Sequence, residues 1–201
     1  MLWRNRPGRK GVVDPSEDVG EQAASDAALA RAARLGDREA FEVIVHRHGP
    51  AMYRYARRML ADHGATEEVV QDAFVAAWRG MDTYRGESRL RTWLFSLTAH
   101  KAIDHRRKAR ARPIDDQLLL VLPADDHAGP LAELTQVELL AALEAALAEL
   151  PQRQRACWIL REIEGLTHAE IGQVLNLSDG AVRGQLHRGR RSVAQRMARW
   201  R

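Results

Sequence analysis

Hydrophobic residues recur every three or four positions along most of this chain, which is the spacing of one face of a helix. The clearest run extends from about Asp37 to Leu60 and places its apolar side chains on one side of a single helix. Further helical runs follow up to about residue 112 and resume from Leu134. No stretch alternates with a period of two for long enough to form a strand. The pattern therefore predicts an all-α protein.

Breaks in this periodicity divide the chain into four segments. Residues 1–25 contain two prolines, three glycines and charges of both signs, which is typical of a flexible tail. Residues 26–112 and 134–201 are each predicted to form a small helical domain. Between them, residues 113–133 contain three prolines and no lysine or arginine, which indicates a flexible acidic linker. Its apolar stretch, Leu118–Leu122, is expected to dock on a neighbouring surface.

Charge is segregated along the chain, although the net charge is only +4. Residues 85–112 contain nine basic and two acidic residues, and residues 151–201 contain ten and four. Residues 113–150, by contrast, contain eight acidic residues and no lysine or arginine. Two basic segments on either side of an acidic one indicate polyanion binding at two separate places, with the acidic segment kept away from DNA.

The composition excludes several classes of protein. A single cysteine, Cys157, cannot form an intramolecular disulfide or a multi-cysteine metal site. The longest apolar run, Leu118–Leu122, is far shorter than the about 20 residues that span a bilayer. The N-terminal residues lack the apolar core of a secretory signal. We therefore expect a cytoplasmic protein with no membrane insertion, no cofactor and no metal ion.

The second domain contains the pattern of a helix-turn-helix. Thr167 and Glu170 have the spacing of a capping box at the start of one helix. A short turn follows, and Ser178 is expected to cap a longer second helix, which buries Val182 and Leu186. Its other side carries side chains suited to phosphates and base edges. The residues predicted to contact duplex DNA are Ser178, Asp179, Gly180, Arg183, Gly184, His187, Arg188 and Arg191.

Both domains resemble one known family. The run Ala65–Trp78 closely resembles the core helix of the second conserved region of bacterial sigma-70-family factors. Arg91–Phe95 and then Ala102–Arg107 look like the DNA-melting helix of that region. The helix-turn-helix, introduced by Leu150–Pro151 and containing Glu164–Thr167, resembles the fourth region. A short acidic linker replaces the long segment of housekeeping sigma factors, which is the layout of the extracytoplasmic-function, or group IV, factors.

The resemblance implies a function and a set of partners. The chain would bind the beta and beta-prime subunits of core RNA polymerase, recognise promoter DNA and catalyse no reaction itself, and an anti-sigma factor would restrain it. One helix face would grip the beta-prime coiled coil through Glu67, Glu68, Gln71, Asp72 and Val75. The −10 element would be held and opened by Asp82, Thr83, Tyr84, Arg85, Ser88, Arg91, Trp93, His100, Lys101, Arg106 and Arg107. The helix-turn-helix would read the −35 element.

Some expectations concern single residues. Thr66 is predicted to cap the helix that runs to Trp78, with Val70, Phe74, Ala77 and Trp78 itself on its buried side. Trp93 fits a core position at least as well as a platform for base stacking. His100 replaces the asparagine usual in the family on the helix that faces the −10 base pocket, so we expect altered geometry of base recognition there.

Two other functions remain open at the level of sequence. A helix-turn-helix also suits a stand-alone dimeric transcriptional regulator, which would protect a palindrome without polymerase. A helical enzyme acting on nucleic acid would need a metal or acid–base cluster. The only dense acidic group, Glu67, Glu68 and Asp72, suits a protein-binding face better.

Overall fold

A computed structural model of the protein describes residues 26–111 and 131–198. Helices joined by short turns make up this part of the chain, and it contains no strand. The all-α prediction is therefore confirmed. The predicted tail and residues 112–130, which include Leu118–Leu122, lie outside the described residues.

Four helices form the first domain. They are α1 (residues 26–34), α2 (Arg38–Leu60), α3 (His63–Gly80) and α4 (Leu90–Ala111), with a 3₁₀ turn at Met81–Thr83. The start of α2 agrees with the predicted boundary, because the Asp37 carboxylate accepts a hydrogen bond from the Ala40 amide at 3.0 Å.

The predicted start of α3 is wrong. Asp62 caps this helix by accepting the Ala65 amide at 2.6 Å, whereas Thr66 lies inside the helix, buried, with its hydroxyl donating to the Asp62 carbonyl. Aspartate and threonine are both good N-caps, so the sequence alone did not separate them. Val69, Ala73 and the predicted Ala77 are buried, while the predicted Val70 and Phe74 are half-buried at the edge of the core. Trp78, predicted to be buried, is exposed.

The second domain contains the predicted helix-turn-helix. Its helices are α5 (Leu131–Ala148), α6 (Gln152–Trp158) with a π-helical turn at Ile159–Ile163, α7 (His168–Leu175) and α8 (Asp179–Arg196). The helix α5 begins three residues before the predicted start of the domain. The Thr167–Glu170 capping box is present, and Ser178 caps α8. Both predicted caps are therefore confirmed.

The turn of the helix-turn-helix depends on a close backbone approach. The Leu177 amide donates to the Gly172 carbonyl at 2.9 Å. A Cβ atom at position 172 would lie 2.8 Å from the Leu177 carbonyl oxygen, a distance at which the backbone would have to shift. Gly172 is therefore required for the tight approach of α7 to the start of α8.

The two domains pack against each other and share one hydrophobic core. On the side of the first domain, this core contains Tyr55, Phe95 and Ala99 from α2 and α4. The second domain contributes buried apolar side chains from α6, the π turn, α7 and α8. The most extensive contact between the domains is that of α4 with α7. The predicted DNA-melting helix therefore lies directly against the first helix of the helix-turn-helix.

Candidate nucleic-acid and protein interfaces

The outward face of α3 is exposed and mainly acidic. Glu67, Glu68, Gln71, Asp72 and Val75 are all exposed, and Val75 leaves 43% of its surface accessible. The opposite face of the same helix is buried against α2 and α4. An exposed valine next to the exposed Trp78 adds an apolar component to this acidic surface. Such a mixture suits a protein partner better than a nucleic acid.

A basic cleft of about 780 Å³ lies between α1, the middle of α2 and the start of α4. Its floor includes the loop that follows the 3₁₀ turn, where the Tyr84 hydroxyl donates to the Ser88 carbonyl at 2.7 Å. The Tyr84 ring packs beside Trp93 with 5.0 Å between the ring centroids. Trp93 is half-buried in this contact, so it supports the wall of the cleft from behind.

The cleft brings together predicted and unpredicted residues. Of the predicted −10 set, its lining contains Tyr84, Arg85, Ser88 and Arg91. Asp82 and Thr83 are exposed just before the loop, and Thr83 donates to the Gly80 carbonyl at 2.7 Å. Sequence reasoning missed three further arginines that line the same cleft: Arg31, Arg34 and Arg47. The spacing of Arg31 and Arg34 on one helix face was the available signal.

The inner wall of the cleft contains the buried His48 and the half-buried Asp26. Asp26 pairs with Arg47 at 2.7 Å and with the His48 Nε2 at 3.1 Å. Burial lowers the pKa of His48 from its usual value, and this effect outweighs the opposing influence of Asp26. Burial also raises the pKa of the Tyr84 hydroxyl, with Asp26 adding to the effect. Both rings are therefore neutral near pH 7, and the positive charge of the cleft comes from its arginines.

His100 and Lys101 lie in a different place from the basic cleft. They line a smaller cleft of about 380 Å³, together with Glu68 and Asp72 of α3. Lys101 pairs with Asp72 at 3.3 Å, and the exposed His100 ring contacts the Ser96 carbonyl through Nδ1 at 2.7 Å. The structure thus joins two predicted −10 residues to the predicted polymerase-binding face.

Two arginines near the C-terminal end of α4 interact with other groups of the protein. Arg106 donates to the Met59 carbonyl at 3.1 Å, which ties α4 to the end of α2. Arg107 is exposed and pairs with Asp104 at 3.1 Å, one turn earlier on the same helix. Arg107 is therefore the more accessible of the two for a phosphate.

The helix α8 presents its predicted DNA-binding residues outward. Ser178, Asp179, Gly180, Arg183, His187, Arg188 and Arg191 are all exposed. Val182, Leu186 and Val193 lie on the opposite side and are buried. Arg183 pairs with Asp179 at 2.8 Å within the first turn. The first domain does not cover this face, which has the form of a recognition helix.

The two glycines of α8 have different surroundings. Gly189 is buried where α8 crosses α6, and a Cβ atom there would lie 3.7 Å from the Trp158 ring and 3.6 Å from the Gln154 carbonyl. A Cβ atom at Gly184 would meet the Arg188 guanidinium at 3.4 Å. Gly189 therefore belongs to the helix crossing, while Gly184 leaves room for the Arg188 side chain on the outer face.

Two arginines that line the basic cleft also contact the second domain. Arg91 donates to the Glu164 carboxylate at 3.0 Å, and Arg89 lies 4.0 Å from the Glu170 carboxylate. Glu170 also caps α7 by accepting from Thr167. Burial would raise the pKa of Glu170, but the Thr167 hydrogen bonds and the neighbouring Arg89 lower it overall. Glu170 is therefore held in its charged form beside Arg89.

Residues 26–111 and 131–198 contain no group of three or more histidine, cysteine or acidic residues placed to hold a metal ion. Within the same ranges, no helix has the length and apolar character needed to cross a membrane. Cys157 is fully buried, and this burial raises the pKa of its thiol to about 11.

Known protein families match both domains. Residues 44–112 match the model of sigma-70 region 2, and residues 140–193 match that of sigma-70 region 4. The extracytoplasmic-function RNA polymerase sigma factor SigM of Mycobacterium tuberculosis is 30% identical over 177 residues, which cover 88% of this chain and 86% of that protein. The RNA polymerase sigma factor NccH of Alcaligenes xylosoxydans xylosoxydans is 33% identical, covering 89% of this chain and 94% of that protein.

Solved structures give the same fold. CnrH in complex with the cytosolic domain of CnrY matches 85% of this chain and 96% of its own, with 30% identity and a TM-score of 0.63. The sigma factor RpoE of Bartonella quintana, in complex with the anti-sigma factor NepR, matches 79% of this chain and 96% of its own. Its TM-score is also 0.63, and at 21% identity it supports the fold alone.

Proposed function

The chain belongs to the sigma-70 family of RNA polymerase sigma factors, in its extracytoplasmic-function branch, and we propose a specific division of labour between its surfaces. The first domain binds core polymerase and holds the −10 element, and the second reads the −35 element. The observation that carries this proposal is the separation of three exposed surfaces with different chemistry: the acidic face of α3, the basic cleft and the basic face of α8. All bond formation is left to the polymerase.

The −35 element is assigned to the outer face of α8. Arg183, Arg188 and Arg191 provide donors for phosphates and for the O6 and N7 acceptors of guanine, and His187 lies among them. Ser178 and Asp179 are at the N-terminal end of the helix, which enters the major groove first in proteins of this architecture. Because the opposite face is buried against α6, this side alone is available to the groove.

The −10 element is assigned to the basic cleft. Opening DNA costs about 1.4 kcal/mol of stacking per base-pair step, so the protein has to bind the separated strand to compensate. Arginines lining a cavity with an aromatic wall can hold the phosphates and accept an unstacked base. We assign this role to Tyr84, Arg85, Ser88 and Arg91, with Arg31, Arg34 and Arg47 as additional phosphate ligands.

The acidic face of α3 is assigned to the beta-prime subunit of core polymerase. Its carboxylates are exposed, and those of Glu67 and Asp72 make only surface ion pairs, with His63 and Lys101. Such pairs contribute little to stability and exchange easily for pairs with a partner. We also propose an anti-sigma factor as a second partner, as the family implies, and CnrH, which is 30% identical to this chain, was solved in complex with another protein, the cytosolic domain of CnrY.

Transcription in vitro tests the assignment to polymerase. Core polymerase with the full chain should start RNA synthesis on genomic DNA at positions that core polymerase alone does not use. The variant Glu68→Lys, which reverses a charge on the α3 face, should reduce these new transcripts about tenfold or more, as loss of a charged interface contact does.

The control is Glu42→Lys, which makes the same charge change at an exposed position of α2 outside this face. Glu42→Lys should transcribe like the unmodified chain. Identical start sites with and without the chain would refute the sigma-factor function. Equal activity of the two variants would refute only the assignment of the α3 face to polymerase and would leave the sigma-factor function in place.

A further inference from the structure

An aspartate lies among the arginines of the basic cleft. Asp26 of α1 lines this cleft together with Arg31, Arg34 and Arg47. Only 17% of its side chain is exposed, so it is not a solvated group at the rim. A negative charge at this place opposes the binding of phosphates, and the contacts of Asp26 indicate what it does instead.

Both carboxylate oxygens of Asp26 lie against consecutive residues of α2. The Oδ1 atom accepts a hydrogen bond from the Arg47 Nη1 at 2.7 Å. The Oδ2 atom lies 3.1 Å from the Nε2 of His48, whose ring is buried in the inner wall of the cleft. The carboxylate therefore has one contact with a buried ring and one with an arginine that lines the cleft.

The contact with Asp26 restricts the Arg47 side chain without using all of its donors. It involves one nitrogen of the guanidinium group, which carries five N–H donors in one plane. One third of the Arg47 side chain, 33%, stays exposed. A phosphate can therefore approach Arg47 while its guanidinium group remains on Asp26.

Two opposing effects of Asp26 on phosphate binding follow from this geometry. A long side chain loses rotamer freedom when it binds a ligand, and an arginine that is already held has lost this freedom on folding. The carboxylate charge, in contrast, repels a phosphate, although solvent weakens this repulsion at a partly exposed pair. Because the two effects have opposite signs, a measurement of affinity can separate them.

We propose that Asp26 is a positioning residue for the −10 strand, whose carboxylate orients the Arg47 guanidinium on the wall of the basic cleft before the strand binds. The inference rests on the proposed function, since that function assigns the cleft to the −10 element and Arg47 to a phosphate. Orientation of Arg47 outweighs the repulsion by the carboxylate, so the acidic residue increases the affinity of a basic site.

The first test measures binding of a fluorescein-labelled oligothymidylate to the full chain by fluorescence anisotropy at low salt. It compares Asp26→Asn with Glu87→Gln. Glu87 lines the same cleft but is exposed, so both variants remove one negative charge from the cleft and nearly preserve the size of the side chain. Circular dichroism shows whether each variant is folded.

Asp26→Asn should bind the oligonucleotide about threefold more weakly than the unmodified chain, which is the loss expected when one arginine has to be ordered on binding. Glu87→Gln should bind as tightly as the unmodified chain or more tightly, because it removes only repulsion. Affinity of Asp26→Asn equal to or above that of Glu87→Gln would overturn the positioning role.

A double-mutant cycle shows whether Asp26 acts through Arg47. Arg47→Ala should itself weaken binding, and adding Asp26→Asn to it should cause no further loss. A purely structural effect of Asp26 would weaken binding to the same extent in both backgrounds and would overturn the proposal. Unchanged binding of Arg47→Ala would do so as well, because the arginine would then have no phosphate contact for Asp26 to prepare.

The second test needs no substitution at Asp26 and decides the matter if Asp26→Asn does not fold. Nitrogen-15 relaxation of arginine side chains reports the rotation of each guanidinium group in the free chain. Rotation of Arg47 should be about threefold slower or more than that of the exposed Arg85, because it has to break a charge-assisted hydrogen bond. Arg47→Lys assigns the signal, and equal rotation of the two groups would overturn the proposal.

The two proposals fail in different experiments. Transcription assays with core polymerase test the sigma-factor function, whereas the binding and relaxation measurements contain no polymerase. Normal transcription combined with equal affinity of Asp26→Asn and Glu87→Gln would remove the positioning role and leave the proposed function in place.

Discussion

His48 shows how one buried residue makes the stability of this fold depend on pH. Its ring lies on the inner side of α2, 3.1 Å from Asp26, and is almost completely enclosed. Burial is the largest influence on its pKa and lowers it, while Arg47 and Arg91 act in the same direction. The attraction to Asp26 opposes these effects and does not cancel them.

The sign of the resulting pH dependence follows from this shift. Below its ordinary pKa of 6.5, His48 binds a proton more readily in the unfolded chain than in the folded one. The free energy of unfolding should therefore decrease as the pH falls from 7 towards 5.5. Thermal unfolding at several pH values should show this decrease in the unmodified chain and a flatter profile in His48→Gln.

The matched control for this prediction is His46→Gln, an exposed position two residues earlier on the same helix. Its profile should follow that of the unmodified chain. Should His48→Gln keep the full acid sensitivity, the dependence would have to originate at another group.

At the scale of single elements, one side of α8 packs in the domain core and the other side is exposed. Val182 and Leu186 fix it on the domain, and Arg188 lies on the outer side beside the open position at Gly184. Gly189 lies at the crossing with α6, where a Cβ atom would be at ordinary contact distance, 3.6 Å from the Gln154 carbonyl. The buried side of α8 therefore anchors the helix, and its arginines face outward.

Salt dependence provides a test of α8. Each arginine that neutralises a phosphate releases a counterion, so Arg188→Ala should reduce the slope of log affinity against log salt by about one unit. The measurement uses promoter DNA identified by transcription mapping, bound by polymerase that carries the full chain. The control is Arg196→Ala, since Arg196 lies near the end of α8 and pairs at 2.7 Å with Glu149. A slope that changes equally in both variants would argue against a phosphate contact at Arg188.

The contact between α3 and α4 places two predicted binding surfaces side by side. The pair of Lys101 with Asp72 links a residue predicted to contact −10 DNA with one assigned to polymerase. Both residues line the smaller cleft, together with His100. The two predicted surfaces are therefore neighbours rather than independent sites.

At the scale of the whole molecule, the shared core joins the two domains into one unit. Tyr55 and Phe95 from the first domain are buried with Ile171 and Val174 from the second. When either domain unfolds, the core side chains of the other domain lose packing partners. The free chain should therefore unfold in a single calorimetric transition.

A substitution in the shared core tests this cooperativity. Ile171→Ala should lower the free energy of unfolding by about 2–5 kcal/mol and move the whole transition to lower temperature. Val137→Ala on α5 is the control, since Val137 is exposed and its truncation should change little. Two transitions, of which Ile171→Ala moves only one, would show that the domains unfold independently.

The sequence predicted which helix faces are exposed better than it predicted which residues from different helices lie together. The exposed faces of α3 and α8 agree with the predicted residues, because a periodic apolar stripe also defines the opposite, polar side of a helix. The cleft arginines Arg31 and Arg47 were missed, since they come from helices far from the −10 loop in sequence. His100 was expected near that loop, and its neighbours in the structure are the α3 carboxylates.

The sequence by itself determined the elements of this protein: all helices, the Thr167 and Ser178 caps, the helix-turn-helix, the segregated charge and the family. These features depend on spacing and local hydrogen bonds within a few residues, which a linear pattern records. Only the tertiary structure decided that α4 packs on α7, that Glu164 faces Arg91 and that the two domains share a core. Such contacts join residues more than 70 positions apart, and their choice depends on packing and burial in three dimensions.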